Sequence, residues 1–175
     1  MYPVSIGYAG AVQRITDLTN NGHHAEALVT TAFTVEKTLR RTLRQIVVSA
    51  GFRSTMAEKI VKDLRGLDAI KKAWELYDPE HRTLPAIVGN AEWSVFQDTA
   101  TMRNKLVHGE RVYKLADCQQ QVADALAALN RVKATLDQQY SYSGWDKLKV
   151  RKKSRLHVDP VHQWTKRPPR KSPTP

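Results

Sequence analysis

Residues 23–50, HHAEALVTTAFTVEKTLRRTLRQIVVSA, decide the fold. Leu28, Ala32, Val35, Leu39, Leu43, Ile46 and Ala50 recur at every third or fourth position. That is the period of an α-helix with one apolar stripe, and a stripe of this length must be covered by other elements. The turn signal Asn20-Asn21-Gly22 precedes it and Gly51 follows as the expected stop. The stretch therefore predicts a long helix that other helices pack around.

The flanking sequence keeps the same period. Val12, Ile15 and Leu18 predict a shorter helix before the turn. Thr55 and Glu58 have the spacing of a capping box for a third helix carrying Ile60, Val61 and Leu64, with Gly66 as its end. Leu67 to Tyr77, with Ile70 and Trp74, reads as a fourth helix stopped before Pro79. Residues 78–90 contain Pro79, Pro85 and Gly89 and read as a loop; Ala86-Ile87-Val88 is too short and too near Pro85 to be a strand. Asn90 is placed to cap a helix over 91–108. Val122, Leu126, Leu129, Val132, Leu136 and Tyr140 mark a last long helix over 115–140. The expectation is an all-α bundle of five to six helices over residues 1–140.

After Tyr140 the composition changes. Ser141-Tyr142-Ser143-Gly144 reads as a linker into a basic, proline-rich tail over 141–175, extended or ordered on a partner. Residues 146–175 carry 10 Lys and Arg against 2 Asp and Glu, while the other 145 carry 18 against 15, so most of the formal net charge of +11 sits in the tail. Such a segment attracts polyanions: nucleic acid, an acidic protein or an anionic membrane surface. No apolar run reaches the roughly 20 residues of a membrane helix. The N-terminus lacks a signal-peptide pattern, and Cys118 is the one cysteine, so no internal disulfide can form. These features lead to the expectation of a cytoplasmic protein with no membrane partner.

Chemistry concentrates in Arg103-Asn104-Lys105-Leu106-Val107-His108, followed by Gly109. Asn104 and His108 are four residues apart, about 40° around a helix. Their face extends back through Thr101, Gln97 and Ser94, all polar and uncharged. Such a face suits a shared cleft better than open water, where Lys and Glu are expected. Arg103 instead continues Phe96 and Ala100, which predicts a packed stem and a directed guanidinium. A fixed cation, an amide and an imidazole can handle a phosphodiester without a metal. The chemistry expected of such a set on RNA is transesterification, in which the imidazole would move the proton of a ribose 2′-OH, that oxygen would attack phosphorus, and Arg103 would stabilise the charge that develops. The products are a 2′,3′-cyclic phosphate and a 5′-OH. His108 could equally be a helix-terminal residue favoured by the dipole, and Arg103 an ion-pair partner.

This motif resembles that of the HEPN superfamily, Arg, four to six residues, then His, often with a polar residue after the Arg. The resemblance covers roughly residues 10–140, but the six-residue motif alone is specific. It implies a HEPN-like bundle and a metal-independent endoribonuclease of toxin or defence type. Arg103, Asn104 and His108 would be its catalytic residues, in a composite site built by a homodimer. An antitoxin or other protein regulator is a further implied partner. Many HEPN proteins paired with nucleotidyltransferases carry Tyr two residues after the His; here that residue is Glu110. Catalytically silent HEPN domains that bind RNA or protein form the alternative class, and a subunit of a larger assembly a third.

Further cations are candidates for binding RNA. Lys37, Arg40, Arg41 and Arg44 fall on one helix face, Lys105 lies inside the motif, and Lys152, Lys153 and Arg155 lie in the tail. The α-helical ridge can equally be a solvated face with Glu36 as a local partner. Tyr140, Tyr142, Trp145 and Trp164 are interleaved with cations and could stack on unpaired bases or pack the tail onto the bundle, Trp145 foremost. No histidine pair has zinc-site spacing, and glycine-rich phosphate loops and the serine-nucleophile elbow are missing. No metal and no cofactor are expected.

Overall fold

The apolar stripe on residues 23–50 forms a helix of 26 residues, roughly 39 Å long. The protein is described here by a computed structural model over residues 7–145. In chain order its helices are α1 (Tyr8–Asn20), α2 (His24–Ser49), α3 (Ser54–Asp63), α4 (Gly66–Tyr77), α5 (Leu84–Val88), α6 (Asn90–Val107) and α7 (Leu115–Tyr140). Among the described residues there is no strand. α2 is the axis: α1, α3, α4, α6 and α7 all pack on it, with α7 the broadest partner. Leu39, Leu43 and Ile46 of α2 meet Ile70, Trp74, Phe96, Leu129 and Leu136 in the main core. Ile15, Leu28, Cys118 and Val122 form a smaller cluster at the α1 end.

A second face of α2 is also buried, and it is polar. Thr31, Thr34, Thr38 and Thr42 are nearly inaccessible. Each hydroxyl donates to the carbonyl one turn earlier, at 2.7–2.9 Å. The helix thereby satisfies these groups itself, so threonine can be buried without a partner from elsewhere.

Several local expectations are corrected. Leu84–Val88 forms a helical turn with Pro85 in its first turn, where a missing N–H costs nothing, so among the described residues seven helices replace five to six. Gly89 ends α5 and caps α6, which makes Asn90 the first helical residue and leaves its side chain out of the cap. The Thr55–Glu58 capping box does not form: α3 starts at Ser54, and Arg44 of α2 takes both Glu58 (3.0 Å) and the Ser54 hydroxyl (2.9 Å). Gly66 opens α4 rather than closing α3. The stretch read as a linker is packed: Tyr142, Ser143 and Gly144 are buried against the bundle. Gly144 has φ +88°, and an added Cβ would sit 2.8 Å from the Thr38 carbonyl oxygen, so the chain crosses α2 at backbone contact.

A buried polar knot locks the far end. Tyr140 Oη donates to Asp78 Oδ1 at 2.5 Å and accepts from Trp74 Nε1 at 3.0 Å. Asp78, fully buried, also takes the backbone N–H of Glu80 and Arg82 and the Arg82 guanidinium. Burial alone would raise the Asp78 pKa, but the bonds from Arg82, Tyr140 and the two amides outweigh it and hold the carboxyl below its usual value. The Tyr140 phenol is pushed up by burial and by the neighbouring carboxylate. Tyr140→Phe should lower unfolding free energy by about 1–3 kcal/mol, since Trp74 and Asp78 each lose a buried partner; an unchanged denaturant midpoint would contradict this. A carboxylate with a depressed native pKa stabilises fully above its unfolded pKa, about 3.9. The stability gap between wild type and Asp78→Asn should therefore narrow as pH falls below about 4. Denaturant titrations across that range measure it.

Candidate functional site

Three helices enclose an open cleft of about 80 Å³. Ala32, Val35 and Glu36 of α2 form one wall, Gly66 and Leu67 at the start of α4 another, and Phe96, Thr99, Ala100, Arg103 and Asn104 of α6 the third. Arg103 is held from two sides. Its Cζ lies 4.6 Å from the centroid of the Phe33 ring, and Nη1 donates to Asn104 Oδ1 at 2.8 Å. Its Nε is buried without a hydrogen-bond partner in the protein. The stem is thus packed, as its place on the apolar stripe predicts, and the exposed Nη edge is aimed by Phe33 and Asn104.

The electrostatics at the cleft are mixed. The first turn of α4 has free N–H groups and partial positive charge, offset by Asp68 in the same turn. Glu36 adds a carboxylate, but Arg40 binds it through Nε (2.9 Å) and Nη2 (2.6 Å). The cleft is also small: pockets that enclose a small ligand hold roughly 300–1,000 Å³. It can seat a phosphate-sized group or a side chain, with the rest of a ligand lying outside.

His108 is not in this cleft. It is the C-cap of α6, four residues or about 6 Å along the axis beyond Asn104. Its position is set by the turn that follows. Glu110 N–H donates to the Lys105 carbonyl at 2.9 Å and Gly109 N–H to that of Leu106 at 3.3 Å, the bond pair of a Schellman end. Gly109 supplies the required φ of +69°. The imidazole is exposed, and so is the whole neutral face Ser94, Gln97, Thr101, Asn104 and His108. Three residues close to it in sequence are exposed and apolar: Val107 is 53%, Val112 94% and Leu115 58% exposed.

The four cations of the α2 ridge serve different purposes. Arg40 binds Glu36 and the Val61 and Leu64 carbonyls at 2.7 and 2.6 Å, tying α2 to the end of α3. Arg44 is spent on Ser54 and Glu58. Lys37 and Arg41 lie over the Trp145 ring, at 5.1 and 5.9 Å from its centroid. Lys105 is half-buried on α6. Lys152, Lys153 and Arg155 lie outside the described residues. Phe33 escaped the sequence reading; the available signal was an aromatic lying off the buried stripe of α2. Among the described residues no group of three His, Cys, Asp or Glu side chains could hold a metal ion, and no helix is long and apolar enough to cross a membrane.

No protein-family model, curated protein or solved structure matches this chain.

The division within the ridge is measurable. Arg40→Ala should cost about 2 kcal/mol or more, because a carboxylate and two helix-end carbonyls lose a charged donor. Lys37→Ala, at an exposed site, should fall within about 0.5 kcal/mol of wild type. Equal losses in thermal or denaturant unfolding would mean that the ridge is not divided in this way.

Proposed function

We propose that the protein is a HEPN-like, metal-independent endoribonuclease that acts as a homodimer. The observation that carries this reading is the preset guanidinium of Arg103, stacked on Phe33 and bonded to Asn104 at the mouth of a cleft sized for a phosphate. A donor fixed before the substrate arrives needs no reorganisation as charge develops on the phosphoryl oxygens. His108 lies one turn further on the same helix and is exposed.

One copy leaves the site short of parts. It offers a single imidazole, displaced from the cleft, where transesterification benefits from a base and an acid. Two-fold pairing of the exposed α6 end would cover Val107, Val112 and Leu115 and bring two copies of His108 to one groove. The ribose 2′-OH would then lose its proton to one imidazole and attack phosphorus. The 5′-oxygen leaves with a proton from the other, giving a 2′,3′-cyclic phosphate and a 5′-OH. Asn104 serves as the positioning partner of Arg103. A toxin or defence setting, an antitoxin-like regulator and a cytoplasmic location rest on the family resemblance and composition.

A catalytically silent, HEPN-like binding module is the second reading. It is favoured by the place of His108 outside the cleft. The two readings separate cleanly. Purified wild type should cut single-stranded RNA in EDTA and leave cyclic phosphate ends. His108→Ala should lose about 10²–10⁴-fold in rate, and Arg103→Ala about 10²–10³-fold, both with unchanged circular dichroism and unchanged affinity for an uncleavable RNA in the case of His108→Ala. No cleavage by the wild type, or full cleavage by His108→Ala, refutes the enzyme assignment.

A further inference from the structure

Phe33 is a bulky aromatic on the exposed side of α2. The apolar stripe and the threonine row of that helix are buried, yet this ring is 51% exposed. A single wet apolar side chain is ordinary on a protein surface. This one carries a second feature. The Arg103 guanidinium lies over the ring, with Cζ 4.6 Å from its centroid. A guanidinium covers one face of a phenyl ring, so the exposed surface belongs to the part turned away from Arg103.

The charge beside the ring is uncompensated. Among the described residues no carboxylate pairs with Arg103. Glu36 lines the same cleft but is held by Arg40 through two bonds. Arg103 gives Nη1 to the Asn104 amide oxygen, a neutral acceptor, and its Nε has no partner. Asn104 accepts through Oδ1, so its Nδ2 is left as a donor. A cation, an amide donor and an exposed ring therefore stand together at the mouth of a cleft that holds a phosphate-sized group.

These three groups select one ligand chemistry. A free phosphate would satisfy Arg103 and Asn104 but leave the ring wet. An acidic peptide would do the same. An unpaired nucleotide carries an anion and a flat aromatic surface in one unit, and so engages all three. A base inside a duplex has both faces covered by its neighbours and has none to offer.

We propose that Phe33 is a stacking platform that sets the substrate class of the Arg103 cleft: single-stranded RNA, with one unpaired base laid on the ring and an adjoining phosphate held by Arg103. This rests on the nuclease reading for the cutting of that strand, but its capture needs no catalysis. Phe33 then has two roles, holding Arg103 and holding a base, and the two leave different signatures.

The test uses the full-length chain and two labelled strands. One is a 2′-O-methyl oligouridine, which lacks the attacking hydroxyl and cannot be cut. The other has the same backbone, length and charge but no bases. Fluorescence anisotropy gives the affinity for each. Phe33→Leu keeps bulk beside Arg103 and removes the aromatic face. It should weaken binding of the oligouridine about 5-fold or more, the lower end of what one stacked base contributes, and leave binding of the baseless strand unchanged. Phe33→Tyr should restore wild-type affinity. Arg103→Ala should weaken both strands, since both carry phosphates. Equal losses on the two strands in Phe33→Leu would reduce Phe33 to a support for Arg103 and overturn the platform. Full affinity for the oligouridine in Phe33→Leu overturns it as well. Binding of an oligoglutamate but not of the oligouridine overturns it in favour of an acidic protein partner. Base-dependent binding with no cleavage of natural RNA leaves the platform standing and removes the nuclease; cleavage with no base dependence of the Phe33→Leu effect does the reverse.

Discussion

Burial of α2 on nearly every side is the constraint from which the rest of the architecture follows. A helix through the middle of a bundle must present surfaces to several neighbours at once, and an amphipathic helix has apolar residues for only part of its circumference. Here the apolar stripe from Leu28 to Ile46 serves α4, α6 and α7, while a threonine row serves the tighter approaches. Threonine is suited to this position. It is small, and in a helix its hydroxyl can return to the carbonyl one turn back, so burial leaves no orphan donor. The cost is a mild local penalty on helix geometry, spread over four turns. The benefit is close approach, which reaches its limit where Gly144 crosses at Thr38.

This constraint explains which parts of the structure can be read in the sequence. α2 and α7 are legible because each repeats its period over 26 residues, and a long repeat tolerates a few exceptions. The ends of α2 and α7 are legible for the same reason. Short elements are not. α5 has five residues, too few for a period, and its Pro85 signals a break as readily as a first helical turn. The capping box at Thr55 was overridden by Arg44, which lies on the preceding helix and takes both Ser54 and Glu58. The same holds for the packed segment after Tyr140. Ser, Gly and Tyr there look like a linker by composition, yet Gly144 and Trp145 meet threonines of α2 more than 90 residues away. Tertiary contacts decided each case, and local propensity carries no information about them.

The candidate site residues show a similar division. Arg103 is legible because its place on the Phe96–Ala100 stripe already requires a packed stem, and the structure supplies Phe33 and Asn104 as the two surfaces that hold its head. The α2 ridge was legible as a row of cations but not as to their use. Four cations on one helix face look alike in sequence, yet two of them reach around to α3 and two turn toward Trp145. What separates them is the position of backbone carbonyls and of an indole, both supplied by other parts of the chain.

The geometry of α6 bears most directly on what the molecule can do alone. Arg103 and Asn104 sit inside the helix, where Phe33 of α2 holds Arg103 and Arg103 bonds Asn104, whereas His108 sits at its very end, where the Schellman turn fixes the backbone and solvent surrounds the ring. A catalytic imidazole left in open water gains nothing from its surroundings: no orienting partner, no exclusion of solvent, no second proton carrier. His108 lies close in sequence to three exposed apolar residues, Val107, Val112 and Leu115, which are unfavourable to leave wet and which a second surface could dry. The proposed pairing would remedy two of these three deficits with one contact, since drying that surface would also exclude solvent from His108 and bring its counterpart near. Under the proposed function, then, oligomerisation and chemistry are one question: what covers the end of α6 would decide whether the imidazole takes part.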